Sequence, residues 1–514
     1  MIKRYESYLR KLFNISIQLS TERDIFTLLE KILKLSREFA NADAGSLCLK
    51  EGNELVFKVI QNDTLNISVG GEYAKYWSPV VLKDDLGKLN YSNVSSCSAI
   101  TKNIIMIDNC YDSTKYNFSG MKKFDKINGY KTTSMLVIPL LDFDRDVIGV
   151  LQLINKLDEN GNVVSFSNFD RESSVALSSQ ATIALLNANM YDEMETFLES
   201  FISSIGEAVD AKSPYTGNHV KKVSRFVKIV ANAVDKDRTV FRNENFNKER
   251  LKLMEISAWL HDVGKITVPD HVMDKATKLE TLIDKIDLIK ERIEILKRDC
   301  KIEFLEKKIS EEEYKREIEK LDNDFSFLEI INFGTEFMHE KHKERVLEIA
   351  KRKYFFNGVE VSLLRDEEVE NLIIKRGTLT ASERDRIMSH AEMTSKILEK
   401  IPFPKQFRDA KHIASNHHEK LNGKGYPRGL SADELSFDDR LLAIGDVFEA
   451  LTSSDRPYKK PKKLSEVFKI LSFMVKDGEI DGDIVRFIFD KKIYLEYATE
   501  ELLAEQLDEP DILF

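Results

Sequence analysis

At 514 residues the chain is too long for one hydrophobic core, and 42% hydrophobic with 32% charged residues describes a globular protein of two or three domains. A net charge of −10 argues against a general nucleic-acid binder, which needs a basic surface, and no apolar run approaches the ~20 residues that cross a bilayer. The N-terminus MIKRYESYLRKLFNISIQL is amphipathic but broken by charge, unlike a signal peptide, and the scattered Cys48, Cys97, Cys110 and Cys300 form neither a disulfide framework nor a C-x-x-C site. A cytoplasmic protein is the expectation.

In chain order, IFTLLEKILKLSREFA carries a helical period through Ile25, Leu28, Leu29, Ile32 and Leu35. AGSLCLKEGNELVFKVI then reads as two strands joined at Glu51-Gly52-Asn53. TTSMLVIPLL and DVIGVLQLINK form a second strand pair around Asp142–Asp146. Helices flanking antiparallel hairpins predict an α+β sensor-type domain rather than a doubly wound parallel sheet. From Glu172 to about Val209 there is no proline and one glycine, Gly206, so a long helix follows, either a connector or a dimer seam.

Residues 278–376 change texture. Of the 40 residues in 281–320, 23 are charged, yet Ile283, Ile286, Ile289, Ile293 and Leu296 recur at helical spacing. A largely helical insertion is expected there, a helical hairpin followed by a smaller mixed part, its charge runs being mainly solvated faces.

All nine histidines fall at or after residue 219. In LKLMEISAWLHDVGKITVPD the apolar period Leu253, Ile256, Leu260 marks a buried helix that delivers His261 and Asp262 at its C-terminal end, with Lys265 just beyond. Alone, His261 reads as a satisfied core histidine. His219 in SPYTGNHVKKV, His390 in SERDRIMSHAEMTSKIL, the adjacent His417 and His418, and Asp446 in the apolar run DRLLAIGDVFEAL change that balance. Imidazoles with carboxylates suit iron, manganese or zinc, and this many ligands exceed one tetrahedral zinc and suit two metals.

His219, the His261-Asp262-x-Gly264-Lys265 run, His390, His417-His418, the Gly425-Tyr426-Pro427 turn and Asp446 resemble, in order, the signature of the HD-GYP family of the HD superfamily. The resemblance covers about 200–277 and 376–508. It implies an all-α HD-type domain that is a metal-dependent phosphodiesterase for cyclic di-GMP, giving linear pGpG, and GMP where a second bond is cut. Cyclic GMP–AMP as the substrate, or a weakly catalytic cyclic di-GMP receptor or scaffold, are the alternatives. It further implies two divalent ions, iron or manganese, held by His219, His261, Asp262, His390, His417, His418 and Asp446. Water activated by the metals would attack phosphorus in line, with Asp262 and Lys265 as catalytic residues and Lys265 facing the departing 3′ oxygen. Gly425, Tyr426 and Pro427 would face substrate or partner proteins, and Arg456 and Lys459 would contact phosphate.

KFDKINGYKTTSMLVIPLL…VIGVLQLINKLDENG resembles a GAF domain, and Asn155-Lys156-Leu157-Asp158-Glu159 is close to the motif of GAF domains that bind cyclic nucleotides. There the Lys–Asp pair is thought to shape the fold, so a small-molecule ligand and ligand-free dimerisation both stay open. The expected organisation is a GAF sensor domain at 1–175, a linker helix at 176–210, and an HD-GYP domain at 211–508 interrupted at about 278–376. A homodimer is expected, with protein partners possible through the GYP loop or the insertion.

Three positions depart from the family pattern. Tyr215 stands where members with a third metal carry glutamate, which predicts two metals. Glu449 replaces the usual aspartate three residues after Asp446, and Asn422 replaces a common loop aspartate.

Overall fold

The computed structural model describes residues 10, 13–19, 21–22, 24–70, 77–212, 218–334, 337–453 and 461–510. Tyr215, Arg456 and Lys459 lie outside these. The chain divides into two compact units, Met1–Phe197 and Leu198–Phe514.

The first unit is an antiparallel sheet with helices. Its elements run α1 (Ile25–Ala40), β1 (Ala42–Glu51), β2 (Glu54–Asn62), β3 (Ile67–Gly70), β4 (Val80–Val81), α2 (Val94–Thr101), β5 (Ile105–Ile107), α3 (Ser119–Asn128), β6 (Met135–Leu141), β7 (Val147–Leu157) and β8 (Val163–Val164). The strand order is β3-β2-β1-β7-β6-β5, with β4 on β2 and β8 on β7. Both sheet faces are covered, and the strand period of two sorts side chains between them. Leu47, Leu136, Ile138, Leu151 and Leu153 join one core with Leu28, Leu29 and Ile32 of α1. Their strand neighbours Cys48, Met135, Val137 and Val150 join the other. Lys156 pairs with Asp170, not with Asp158 of its own motif. Asp158 instead closes the turn after β7, accepting from the Asn160 and Asn162 amides at 2.9 and 2.8 Å. Asp170 also accepts from Ser167 N at 2.7 Å, so Lys156 ties β7 to the start of the next helix.

That helix, α4, runs from Asn168 to Asp210 and ends in the second unit. The second unit continues with α5 (His219–Lys236), α6 (Lys248–Leu260) and a 3-10 turn at Val263–Thr267. After the insertion come α11 (Ala381–Leu398), α12 (Ala410–Ser415), α13 (Phe437–Thr452), α14 (Leu464–Lys476), α15 (Gly482–Asp490) and α16 (Tyr494–Glu501). The core of this helical domain is aromatic: Phe226 of α5 stacks on Phe448 of α13 at 4.3 Å, and Tyr497 closes on Phe226 edge-on at 5.4 Å.

Between the two halves lies α7 (Ile286–Leu305), α8 (Glu311–Asn332), α9 (Glu340–Ala350), a hairpin of β9 (Lys353–Phe356) and β10 (Val359–Ser362), and α10 (Asp366–Leu372). Ile289 and Ile293 pack there with Leu321, Leu328 and Val346 in a separate core. The apolar stripe is shorter than its spacing suggests, because α7 begins at Ile286 and Ile283 is left 58% exposed. Ser310 and Glu313 form a capping box that starts α8. Arg292 holds Glu368 through two parallel hydrogen bonds of 2.7 Å with both side chains buried. Glu368→Ala strands that guanidinium, and a loss of about 3 kcal/mol is expected in urea unfolding. A loss within the error of the measurement would contradict the pairing.

Among the described residues no helix is long and apolar enough to cross a membrane. The four cysteines are free and buried.

Candidate metal centre

Four helices and one loop deliver the candidate ligands. His219 is the first residue of α5 and His261 caps the C-terminus of α6, with Asp262 next to it. His390 projects from the middle of α11, His417 and His418 follow α12, and Asp446 lies in α13. All seven meet in one cavity, in groups whose ligand atoms lie within 4.8 Å of one another: His219, His261 and Asp446; His390, His417 and His418; and His261, Asp262 and His417.

Asp262 stands between the first two groups. Its Oδ2 lies 3.5 Å from His219 Nε2 and 3.3 Å from His261 Nε2, while its Oδ1 lies 3.4 Å from His390 Nε2 and 3.8 Å from His417 Nε2. Asp446 Oδ1 faces the first group, 3.3 Å from His219 Nε2, and its Oδ2 faces His418 Nδ1 at 3.9 Å.

Tautomers are fixed by backbone carbonyls, which only accept. His261 Nδ1 donates to Ala258 O at 2.7 Å, His390 Nδ1 to Ile387 O at 2.6 Å and His417 Nδ1 to Ala414 O at 2.7 Å. Each Nε2 therefore presents a lone pair to the cavity, the arrangement by which a second hydrogen bond orients a metal-ligating imidazole. Burial pushes His418 down to about 4, and pushes His390 and His417 below the usual histidine range too, so these rings are neutral ligands at neutral pH. His219 goes the other way: burial lowers it, but Asp262, Asp446 and Glu449 outweigh burial and hold it well above the ordinary value. Three carboxylates converging on one buried ring mark a place built for a cation.

His261 Nε2, Asp262 Oδ1 and Glu449 Oε1 are buried without a hydrogen-bond partner. Such atoms cost about 1–3 kcal/mol each, and a metal would satisfy them. The donor set thus fits divalent ions: His219, His261 and Asp446 on one side, His390, His417 and His418 on the other, Asp262 offering one oxygen to each. Glu449 takes the place of the expected aspartate by hydrogen-bonding His219 Nδ1. Glu449→Gln is expected to weaken metal affinity between about 10- and 100-fold, read by chelator competition. Unchanged affinity would remove Glu449 from the centre.

The third-histidine helix is fastened to the HD turn by contacts that the motifs do not announce. Thr394 Oγ1 donates to His261 O at 2.9 Å and accepts from Gly264 N at 3.0 Å. A Cβ on Gly264 would lie 2.0 Å from His390 O, so only glycine permits this approach. Thr394 sits four residues after His390, one helical turn along the same face, which is the only trace it leaves in the sequence. Lys265 Nζ pairs with Asp262 Oδ2.

The loop after His418 is pinned by the buried Glu419, whose carboxylate accepts from Arg428 N at 2.7 Å and Leu430 N at 2.9 Å. Gly425 passes so close that a Cβ would lie 2.4 Å from Lys420 N. Tyr426 is thereby set on the rim, its ring 4.7 Å from the His418 ring, and its peptide bond to Pro427 is cis. Asn422 donates to Asp477 O at 3.0 Å, a loop-closing role that suits its amide. Arg456 and Lys459 fall outside the described residues, so no phosphate contact is placed on them.

A GAF domain model matches residues 24–185 and an HD domain model matches residues 366–484. The HD match takes in His390, His417, His418 and Asp446 but not His219, His261 or Asp262, which precede the insertion. A cyclic di-GMP phosphodiesterase of Thermotoga maritima is 31% identical over 39% of this chain and 59% of its own length. A 3′3′-cGAMP-specific phosphodiesterase 3 of Vibrio cholerae is 22% identical over 54% of this chain and 35% of its own. A 3′3′-cGAMP-specific phosphodiesterase 1 of the same organism is 33% identical over 28% and 32%. The chain therefore spans less than two thirds of each of these relatives. The chain thus matches a GAF domain model in its first half and an HD domain model in its second.

Proposed function

We propose that this chain hydrolyses a cyclic dinucleotide, cyclic di-GMP first, to linear pGpG and on to GMP if a second bond is cut. The observation that carries the reading is Asp262, which offers one oxygen to each of two ligand groups. Two divalent ions, iron or manganese, would be held there and, when bound, supply an activated water and offset charge on the phosphoryl oxygens. The chain's own residues do the rest. Carbonyl-anchored histidines keep their Nε2 atoms aimed inward without reorganisation. Lys265 brings an ammonium to the edge of the centre, where it holds a proton for the departing 3′ oxygen. Tyr426 offers an aromatic face at the rim on which a guanine can stack.

The Vibrio relatives favour 3′3′-cGAMP as a second substrate reading. A receptor without turnover is disfavoured, because all seven candidate ligands are in place. The GAF domain is proposed as the sensor, and a homodimer as the assembly, with partner proteins meeting the GYP loop or the insertion.

The test is incubation of the anaerobically purified full chain with cyclic di-GMP and, separately, 3′3′-cGAMP, followed by chromatography of the products. Linear dinucleotide from cyclic di-GMP is expected. Selective cleavage of 3′3′-cGAMP would transfer the assignment, and both substrates left intact by metal-loaded protein would overturn it.

A further inference from the structure

The last turn of α4 reaches both segments that carry the N-terminal ligands. A Cβ on Gly206 would lie 2.7 Å from the Trp259 ring, 2.9 Å from its carbonyl and 3.3 Å from Val220. One turn later, Asp210 accepts a hydrogen bond from Val220 N at 3.0 Å. Two residues on, Lys212 Nζ donates to Lys265 O at 3.1 Å, to Ile266 O at 3.0 Å and to Val268 O. So the turn packs beside the residue after His219, beside the residue two before His261, and onto the 3-10 turn bearing Lys265.

The last carbonyls of a short helical turn lack the donors that a continued helix would bring, and an ammonium carries three N–H groups. Lys212 fills that role, with Asp270 3.4 Å away as its counter-charge. What raises this above an ordinary cap is which residue is held. Lys265 N donates to Asp262 O at 2.9 Å, Lys265 O accepts from Val268 N at 3.0 Å as well as from Lys212, and Lys265 Nζ ends on Asp262. The backbone on both sides of Lys265 is thereby held, with its side chain on Asp262.

We propose that Lys212 is a positioning residue for the metal centre: it holds the 3-10 turn so that Lys265 stays on the carboxylate shared by the two ligand groups. Asp210 does the same for the start of α5, which bears His219. The inference rests on the reading of the cavity as a hydrolytic centre, and it adds a residue 53 positions upstream that touches neither ligand nor substrate.

The test uses the full chain loaded with manganese, as wild type, Lys212→Met, Lys212→Arg, Lys265→Ala and the double variant Lys212→Met with Lys265→Ala. Three quantities are read: kcat and KM for cyclic di-GMP, metal per chain, and hydrogen exchange of the 265–268 amides. Lys212→Met is expected to lower kcat between about 10- and 100-fold while KM and metal content hold, because a small misplacement of a catalytic group costs that much. Exchange at 265–268 quickens, Lys212→Arg recovers most of kcat, and Lys212→Met costs nothing more once Lys265 is alanine. An equal loss of kcat in both backgrounds, a loss of metal along with kcat, or unchanged exchange would overturn the inference. Should wild type cleave no cyclic dinucleotide, the functional reading falls by itself. Exchange and metal content then decide the positioning role: faster exchange with metal retained supports it, and unchanged exchange refutes it.

Discussion

Asp262→Asn is expected to empty the centre and lower turnover by at least about 10³-fold, a loss of some 4 kcal/mol of transition-state stabilisation. The side chain keeps its size, so packing among the buried rings is preserved. What changes is that one oxygen becomes an amide nitrogen that cannot ligate. In the native centre Oδ2 faces His219 and His261 while Oδ1 faces His390 and His417. With only one oxygen left, the two ligand groups can no longer share a bridging carboxylate. The negative charge that Asp262 sets beside His219 and Lys265 is lost as well. Metal content and hydrolysis measured on one sample check this. A variant that keeps its metal and turns over at more than a tenth of the native rate would show that Asp262 is not the shared ligand.

Gly264→Ala is the second large effect, and it acts through packing rather than charge. The added Cβ would stand 2.0 Å from His390 O and 2.7 Å from Thr394 N, both backbone atoms that cannot rotate away. The 3-10 turn and α11 must therefore separate. That breaks the Thr394 hydroxyl bridge to Gly264 N and His261 O and moves His390 away from Asp262. A loss of about 3 kcal/mol in stability is expected, as for overpacking of a buried contact. Activity is expected to fall by about 100-fold or more, as for a misplaced catalytic group. Thermal unfolding and hydrolysis of the same preparation separate the two. Native activity in the variant would mean that α11 is not held in register by this contact.

Much of this architecture is legible in the sequence because local chemistry dictates it. Strand alternation through SLCLK and MLVIPLL places Leu47, Leu136 and Ile138 on one sheet face and Cys48 and Val137 on the other. The proline-free run after Glu172 is part of the single helix α4. The seven candidate ligands could be picked out because histidine and aspartate are costly in apolar helices and recur there in a fixed order. Their meeting in one cavity is a property of the fold.

What the sequence hides are contacts made between distant segments. Glu449 looks like a lengthened substitute for aspartate, and only the fold shows it reaching across 230 residues to His219 Nδ1. Thr394 and Lys212 are unremarkable as letters; their partners lie 133 and 53 residues away. Lys156 has an aspartate two residues on, yet pairs with Asp170, because β7 and the start of α4 are neighbours in space. Ile283 continues a helical spacing that the chain does not follow, since the helix starts three residues later.

The most direct test of a dinuclear centre is a metal count. The full chain, purified without oxygen and without chelators, is analysed for iron, manganese and zinc per polypeptide by elemental mass spectrometry. About two metals per chain is the expected result, one for each ligand group beside Asp262. A reproducible value of one, or none after manganese or iron is supplied, would contradict the shared-carboxylate centre and with it the hydrolytic reading.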